Sequence, residues 1–158
     1  MGLTFRYAAE SDTPLILQFI RDLAAYEDML DEVVATDEIL KEWLFEKKKA
    51  EVVFAMLNEE EIGFALFFHN FSTFLGRAGI YIEDLYVKPE YRGRGYGKSI
   101  LKKLAQIAVE RQCGRVEWWC LDWNKPSIDF YLSLGAVPMK DWTVYRIAGD
   151  VLTHIAKE

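Results

Sequence analysis

The segment Arg92-Gly93-Arg94-Gly95-Tyr96-Gly97-Lys98-Ser99 constrains this chain more than any other. A strand-like run, Ile80–Val87, and a turn at Lys88-Pro89-Glu90 precede it, and an amphipathic stretch follows. Alternating glycines let backbone N–H groups crowd round a ligand. The N-terminus of the following helix adds donors and positive potential. With two arginines and a lysine alongside, the segment suits a pyrophosphate, and so a nucleotide-like cofactor.

Two familiar phosphate motifs fail on spacing. A P-loop requires a glycine five positions before Gly97, where Arg92 stands. A dinucleotide fingerprint requires a glycine at Lys98. The spacing that fits is R-x-x-G-x-G, read as Arg92, Gly95 and Gly97. A turn that merely caps a helix has the same local composition.

The rest of the chain reads as an α/β domain with a mixed central sheet flanked by helices. Leu3–Ala8 is a first strand. Ser11-Asp12-Thr13-Pro14 starts a helix, whose apolar stripe is Ile16, Phe19, Ile20, Leu23 and Ala24. Thr36-Asp37-Glu38 starts a second helix, running to about Lys49. Strands are expected at Glu51–Leu57 and Ile62–His69 around a polar hairpin loop, Asn58–Glu61, then at Ile80–Val87. A helix over Gly95–Gln112 presents Ile100, Leu101, Leu104, Ile107 and Ala108 on one face. A strand at Arg115–Leu121 follows. Asn124-Lys125-Pro126 then opens a helix that ends at Gly135, and a last strand is expected at Asp141–Ala148.

At 158 residues, one domain spanning 1–158 is expected, large enough for its own core. No apolar run reaches the length of a membrane span, and no secretory leader is visible. Two cysteines, Cys113 and Cys120, make no disulfide framework, which points to the cytoplasm. The two histidines, His69 and His154, lie in no metal-binding spacing, so no metal is expected. The net charge of −6 argues against nucleic acid and favours a cationic small molecule.

The R-x-x-G-x-G loop resembles the acetyl-CoA pyrophosphate loop of the GNAT acyltransferase superfamily, and the order of elements matches the GNAT fold. The branch it resembles is that of the diamine acetyltransferases, the spermidine/spermine and thialysine enzymes. The matching segments are Leu23–Glu27, Tyr81–Val87, Tyr91–Gly97, Leu121–Asn124, and Pro126–Tyr131 with Leu134–Ala136.

The resemblance implies acetyl transfer from acetyl-CoA to an amine, with no metal, in a homodimer that needs neither nucleic acid nor membrane. Glu83 is the candidate proton acceptor, and it also attracts an ammonium. Asp84, its neighbour, is expected on the opposite strand face. Tyr131 is the candidate general acid, its phenol staying protonated at neutral pH. Leu85, Tyr86 and Val87 are expected to offer backbone groups to the pantetheine arm. Arg92, Gly93, Arg94, Gly95, Tyr96, Gly97 and Lys98 are expected to hold the pyrophosphate, and Asn124 and Ser127 to touch the cofactor further along. Tyr26, Glu27, Glu83, Asp84, Glu117 and Trp119 are the candidate acceptor contacts. Alternation puts Trp119, and not Trp118, on the side of Glu117.

One departure bears on the acceptor. Polyamine enzymes carry an acidic residue two positions before the tryptophan that matches Trp142, and here Lys140 stands there. A lysine repels a long polycation, so a thialysine-like or lysine-like amino acid or a short diamine fits better. Two other functions share these motifs: acetylation of a protein or peptide amine, and acyl-CoA binding by a regulator without turnover.

Overall fold

A computed structural model describes residues 2–158, and the chain divides into two compact units, one ending at Trp119 and one running Cys120–Glu158. The first unit contains the sheet. Its strands are β1 (Thr4–Tyr7), β2 (Glu51–Leu57), β3 (Glu60–Ser72), β4 (Arg77–Val87) and β5 (Val116–Trp118), and they lie side by side in chain order. The first four are antiparallel, and β5 joins β4 in parallel. The β2–β3 turn is the two residues Asn58 and Glu59, both at positive φ (51° and 68°). That geometry matches the twist of the strands it joins.

Helices cover both faces. On one side lies α3 (Tyr96–Glu110), which buries Ile100, Leu104, Ile107 and Ala108 against Val53, Ala65, Phe67, Ile80 and Ile82. On the other lie α1 (Thr13–Tyr26) and α2 (Asp37–Lys41). Here Ile16 and Phe19 of α1 and Leu44 pack against Val52, Phe54, Phe64, Leu66 and Tyr86. Burying a side chain the size of Phe19 contributes roughly 1.5–3 kcal/mol. Before α1, the Asp12 carboxylate accepts the Ala9 N–H at 2.7 Å and pairs with Arg6 at 2.8 Å, and Arg6 also reaches Glu61 at 2.7 Å. This ties the helix entry to β1 and β3, and the guanidinium holds both carboxyls below their ordinary range.

Gly63 is required by close approach. A Cβ there would run into the Tyr86 carbonyl oxygen and come within 3.2 Å of Val87 Cα. Any side chain at Gly63 pushes the end of β4 away, and β4 carries most of the candidate site.

The second unit contains α4 (Lys125–Ser133) and α5 (Gly149–Ala156). Asn124 caps α4, its side-chain oxygen accepting the Ser127 N–H at 3.4 Å, and Gly135 at φ 91° ends it.

Three expectations change. The second helix is short: after Lys41 it widens into a π turn over Glu42–Glu46, with Lys47 N–H donating to Glu42 O at 2.8 Å. The strand after α3 spans Val116–Trp118 rather than Arg115–Leu121, because its ladder with β4 ends at Ile82. The strand expected at Asp141–Ala148 does not form. Its alternation is right, but a strand is completed by cross-strand pairing, and no ladder runs along it. The helix that follows, α5, was not expected from the sequence.

Candidate active site

The glycine loop leads from β4 into α3. Pro89–Tyr91 makes a 3₁₀ turn after β4, and Gly95 caps α3 in the left-handed region at φ 82°. Gly93 is also left-handed, at φ 79°. A Cβ on Gly93, Gly95 or Gly97 would meet nothing within 4 Å, so the loop is open on the side where a ligand would lie. The first N–H groups of α3, from Tyr96 to Lys98, have no acceptor within the helix. Tyr91 and Lys88 anchor the loop through Glu60, at 3.2 and 3.3 Å.

β4 also offers a free backbone edge. Its parallel ladder with β5 stops at Ile82 and Trp118, while its antiparallel ladder with β3 continues to Val87. Leu85, Tyr86 and Val87 thus face β3 on one side and, among the described residues, no strand on the other. A pantetheine arm, which is an amide chain, can take that position. The loop and edge together fit acetyl-CoA.

The expectation for Asp84 is overturned by a β-bulge. Leu66 of β3 pairs with Asp84 and Phe67 pairs with Ile82, which leaves Glu83 without a partner. A bulge of one residue reverses the alternation beyond it. Ile80 and Ile82 pack on the α3 side, and so do Leu85 and Val87. Tyr81 touches Phe68, and Asp84 lies opposite Leu66, both on the α1 side. Glu83 and Asp84 therefore share the α1 face.

On that face α1 ends with Tyr26, and Glu27 follows as its C-cap. Burial raises the Glu27 carboxyl. Asp84 is pushed up to about 7, first by burial and then by the charges of Glu83 and Glu27. No Lys or Arg of the first unit forms an ion pair with Glu27, Glu83 or Asp84. Three carboxylates without a basic partner in that unit make a site that a cation would stabilise.

Glu117 differs from them. It pairs with Arg115 at 3.2 Å and accepts from Asn70 at 3.1 Å, so its charge is already balanced. Trp119 lies where alternation put it, edge-on to Tyr81 at 6.0 Å between ring centroids. Tyr81 in turn lies 5.1 Å from Phe68, completing an aromatic wall beside the carboxylates. Sequence reasoning did not single out Tyr81, although its place two residues before Glu83 was a usable signal.

The Arg92 side chain reaches back toward the ends of β4 and α1. Its Nε donates to the Val87 carbonyl at 2.8 Å. Its guanidinium lies 4.9 Å from the Tyr26 ring centroid and 5.3 Å from that of Tyr86. Arg94 lies over Tyr91, at 5.6 Å. In the second unit, Tyr131 is on α4 beside Phe130, their rings 5.6 Å apart. Asn124 and Ser127 are joined there by the helix cap.

The sequence matches the acetyltransferase (GNAT) family over residues 17–136. The chain belongs to the GNAT family. It is an N-acetyltransferase, and the family uses acetyl-CoA as co-substrate. This GNAT chain is 37% identical over 163 residues to the thialysine N-epsilon-acetyltransferase of Bos taurus, covering 96% of this chain and 95% of that one. It is 45% identical over 95 residues to the L-ornithine N5-acetyltransferase NATA1 of Arabidopsis thaliana, covering 60% of this chain and 42% of that one. Among solved structures, an integron cassette protein from the mobile metagenome of V. cholerae superposes with a TM-score of 0.83 at 26% identity, over 100% of this chain and 99% of the other. No helix among the described residues is long and apolar enough to cross a membrane, and no group of three metal-ligating side chains occurs among them.

Proposed function

We propose that this GNAT enzyme acetylates the primary amine of a small aliphatic amine or amino acid, thialysine-like, a diamine or a polyamine. The observation that carries this reading is the set of carboxylates Glu27, Glu83 and Asp84, paired with no Lys or Arg of their own unit and facing one side of the sheet that ends in the glycine loop. An ammonium substrate supplies the missing positive charge. The thialysine and L-ornithine acetyltransferases it resembles are named for amino acids with a side-chain amine. Lys140, in place of an acidic residue, favours such acceptors over spermidine or spermine.

The chemistry requires a proton to leave first. An alkylamine of pKa near 10.4 is about 3.4 units from its nucleophilic form at pH 7, roughly 4.6 kcal/mol. Glu83 assists this loss, directly or through water. The amine nitrogen then attacks the thioester carbonyl; the C–N bond forms and the C–S bond breaks. Tyr131 donates its phenolic proton to the departing thiolate, and the extra proton on the acylated nitrogen restores the phenol, directly or through water. Holding both reactants in register contributes ~7–11 kcal/mol.

The homodimer expected from the resemblance is part of the proposal. It is supported by the exposed Trp142, Val144, Tyr145 and Ile147. The family match runs through both compact units, which supports one catalytic domain. Cytoplasmic residence is supported by the two free cysteines.

The test is thiol release from acetyl-CoA with thialysine, lysine, ornithine, putrescine, spermidine, spermine and a lysine peptide. Turnover is expected with a small amine. Turnover of the peptide alone, or of nothing, sinks this reading.

A further inference from the structure

Arg92 stands in the cofactor loop, yet its side chain works on the other face of the sheet. The loop glycines lead into the start of α3, and α3 packs on one face of the sheet. From the same loop the Arg92 side chain passes round the end of β4, donates to Val87 O at 2.8 Å, and lies over Tyr86 and Tyr26. Tyr86 is buried, 5% exposed, and packs 5.8 Å from Phe19 of α1. Tyr26 is 43% exposed and is the last residue of α1, next to Glu27. The guanidinium thus joins three elements: the loop that holds it, the end of β4, and the end of α1.

We propose that Arg92 is a positioning residue for the acceptor, a brace that holds Tyr26 and Glu27 in place when acetyl-CoA occupies the glycine loop. The inference rests on the small-amine reading above. A planar guanidinium can stack between two rings while its Nε hydrogen-bonds at the edge. A lysine carries the same charge but lacks the plane, so it can serve a phosphate but not this brace. The donor loop also gains a route to the acceptor side. A ligand that orders Arg92 on the loop orders the end of α1 with it, and by linkage the amine then favours donor binding in return.

The test compares wild type with Arg92→Lys, Tyr26→Leu and the double variant. Wild-type turnover with an amine of the panel comes first, so that a later failure falls on the brace alone. The amine KM is expected to rise roughly three- to thirtyfold in each single variant, the range of a partly desolvated cation–π contact. The acetyl-CoA dissociation constant, titrated without amine, is expected to stay within about twofold, and the double variant to be little worse than either single one. Circular dichroism and the melting temperature of each variant establish that it folds. A rise in that amine-free acetyl-CoA dissociation constant larger than the rise in amine KM would make Arg92 a phosphate ligand and overturn the brace. So would additive losses in the double variant, or an unchanged amine KM in Arg92→Lys. A wild-type enzyme that acetylates no amine overturns both readings.

Discussion

Glu83 and Asp84 are consecutive in sequence and lie on the same face of the sheet, because β4 carries one residue more than β3 between Ile82 and Asp84. A regular strand would have sent one carboxylate to the α3 side, among Ile82 and Leu85. The bulge keeps both charges out of that core and directs them toward the end of α1. It also explains how burial, Glu83 and Glu27 together raise Asp84.

The paired carboxylates divide the work unequally if Glu83 takes the amine proton. Glu83→Gln is expected to lower kcat by ~10²–10⁴. Asp84→Asn is expected to act mainly on the amine KM, and the double variant to fall short of the product of the two losses. Steady-state kinetics on the preferred amine check this. A larger kcat loss in Asp84→Asn would exchange the roles.

The raised Asp84 carboxyl has a signature in stability. Its folded value, about 7, lies above its ordinary value near 3.8. The folded state therefore holds a proton that the unfolded state gives up. The stability this contributes is fully present below about pH 3.8 and is lost as pH rises through about 7. Asp12, Glu51 and Glu61, lowered by arginine partners, give the opposite slope: their contribution is lost as pH falls through their folded values. Asp84→Asn is accordingly expected to raise the melting temperature relative to wild type by roughly 3–8 °C at pH 8. The gain should vanish by about pH 4. Calorimetric melts across that range decide the matter, and a pH-independent difference would contradict the assignment.

Tyr131→Phe removes one hydroxyl and keeps the ring that lies beside Phe130. Its kcat is expected to fall ~10²–10⁴-fold. The acetyl-CoA dissociation constant, measured by titration calorimetry, should be unchanged. Wild-type activity in the variant would end its role as general acid.

Much of the fold was legible because local rules settle it. The stripe of Ile100, Leu104, Ile107 and Ala108 is buried as its spacing implies, and Asn124 and Gly135 bound α4 as their chemistry implies. The shape of the glycine loop was legible for the same reason, since left-handed glycines and a helix N-terminus leave a local signature. The bulge was not, because it depends on which β3 residue faces which β4 residue, a relation between segments. The contacts of Arg92 with Tyr26 and Tyr86 join distant segments, and nothing near Arg92 in sequence signals them. The false strand at Asp141–Ala148 failed on pairing, not on pattern. Its successor α5 was missed, although Val151, Leu152 and Ile155 recur at helical spacing.

The order of strands has a kinetic side. The β2–β3 and β3–β4 pairings join neighbours through short turns, so this central meander can form early and at little loop-closure cost. The edges are different. β1 reaches β2 only after the chain has made α1 and α2, and Ile80 finds Val116 only after α3. Glu83 and Asp84 belong to the meander, while Glu27 and the end of α1 arrive with a long-range closure. By the contact-order rule the acidic cluster is expected to be completed after the meander, so that the cost of bringing those charges together falls on the later steps.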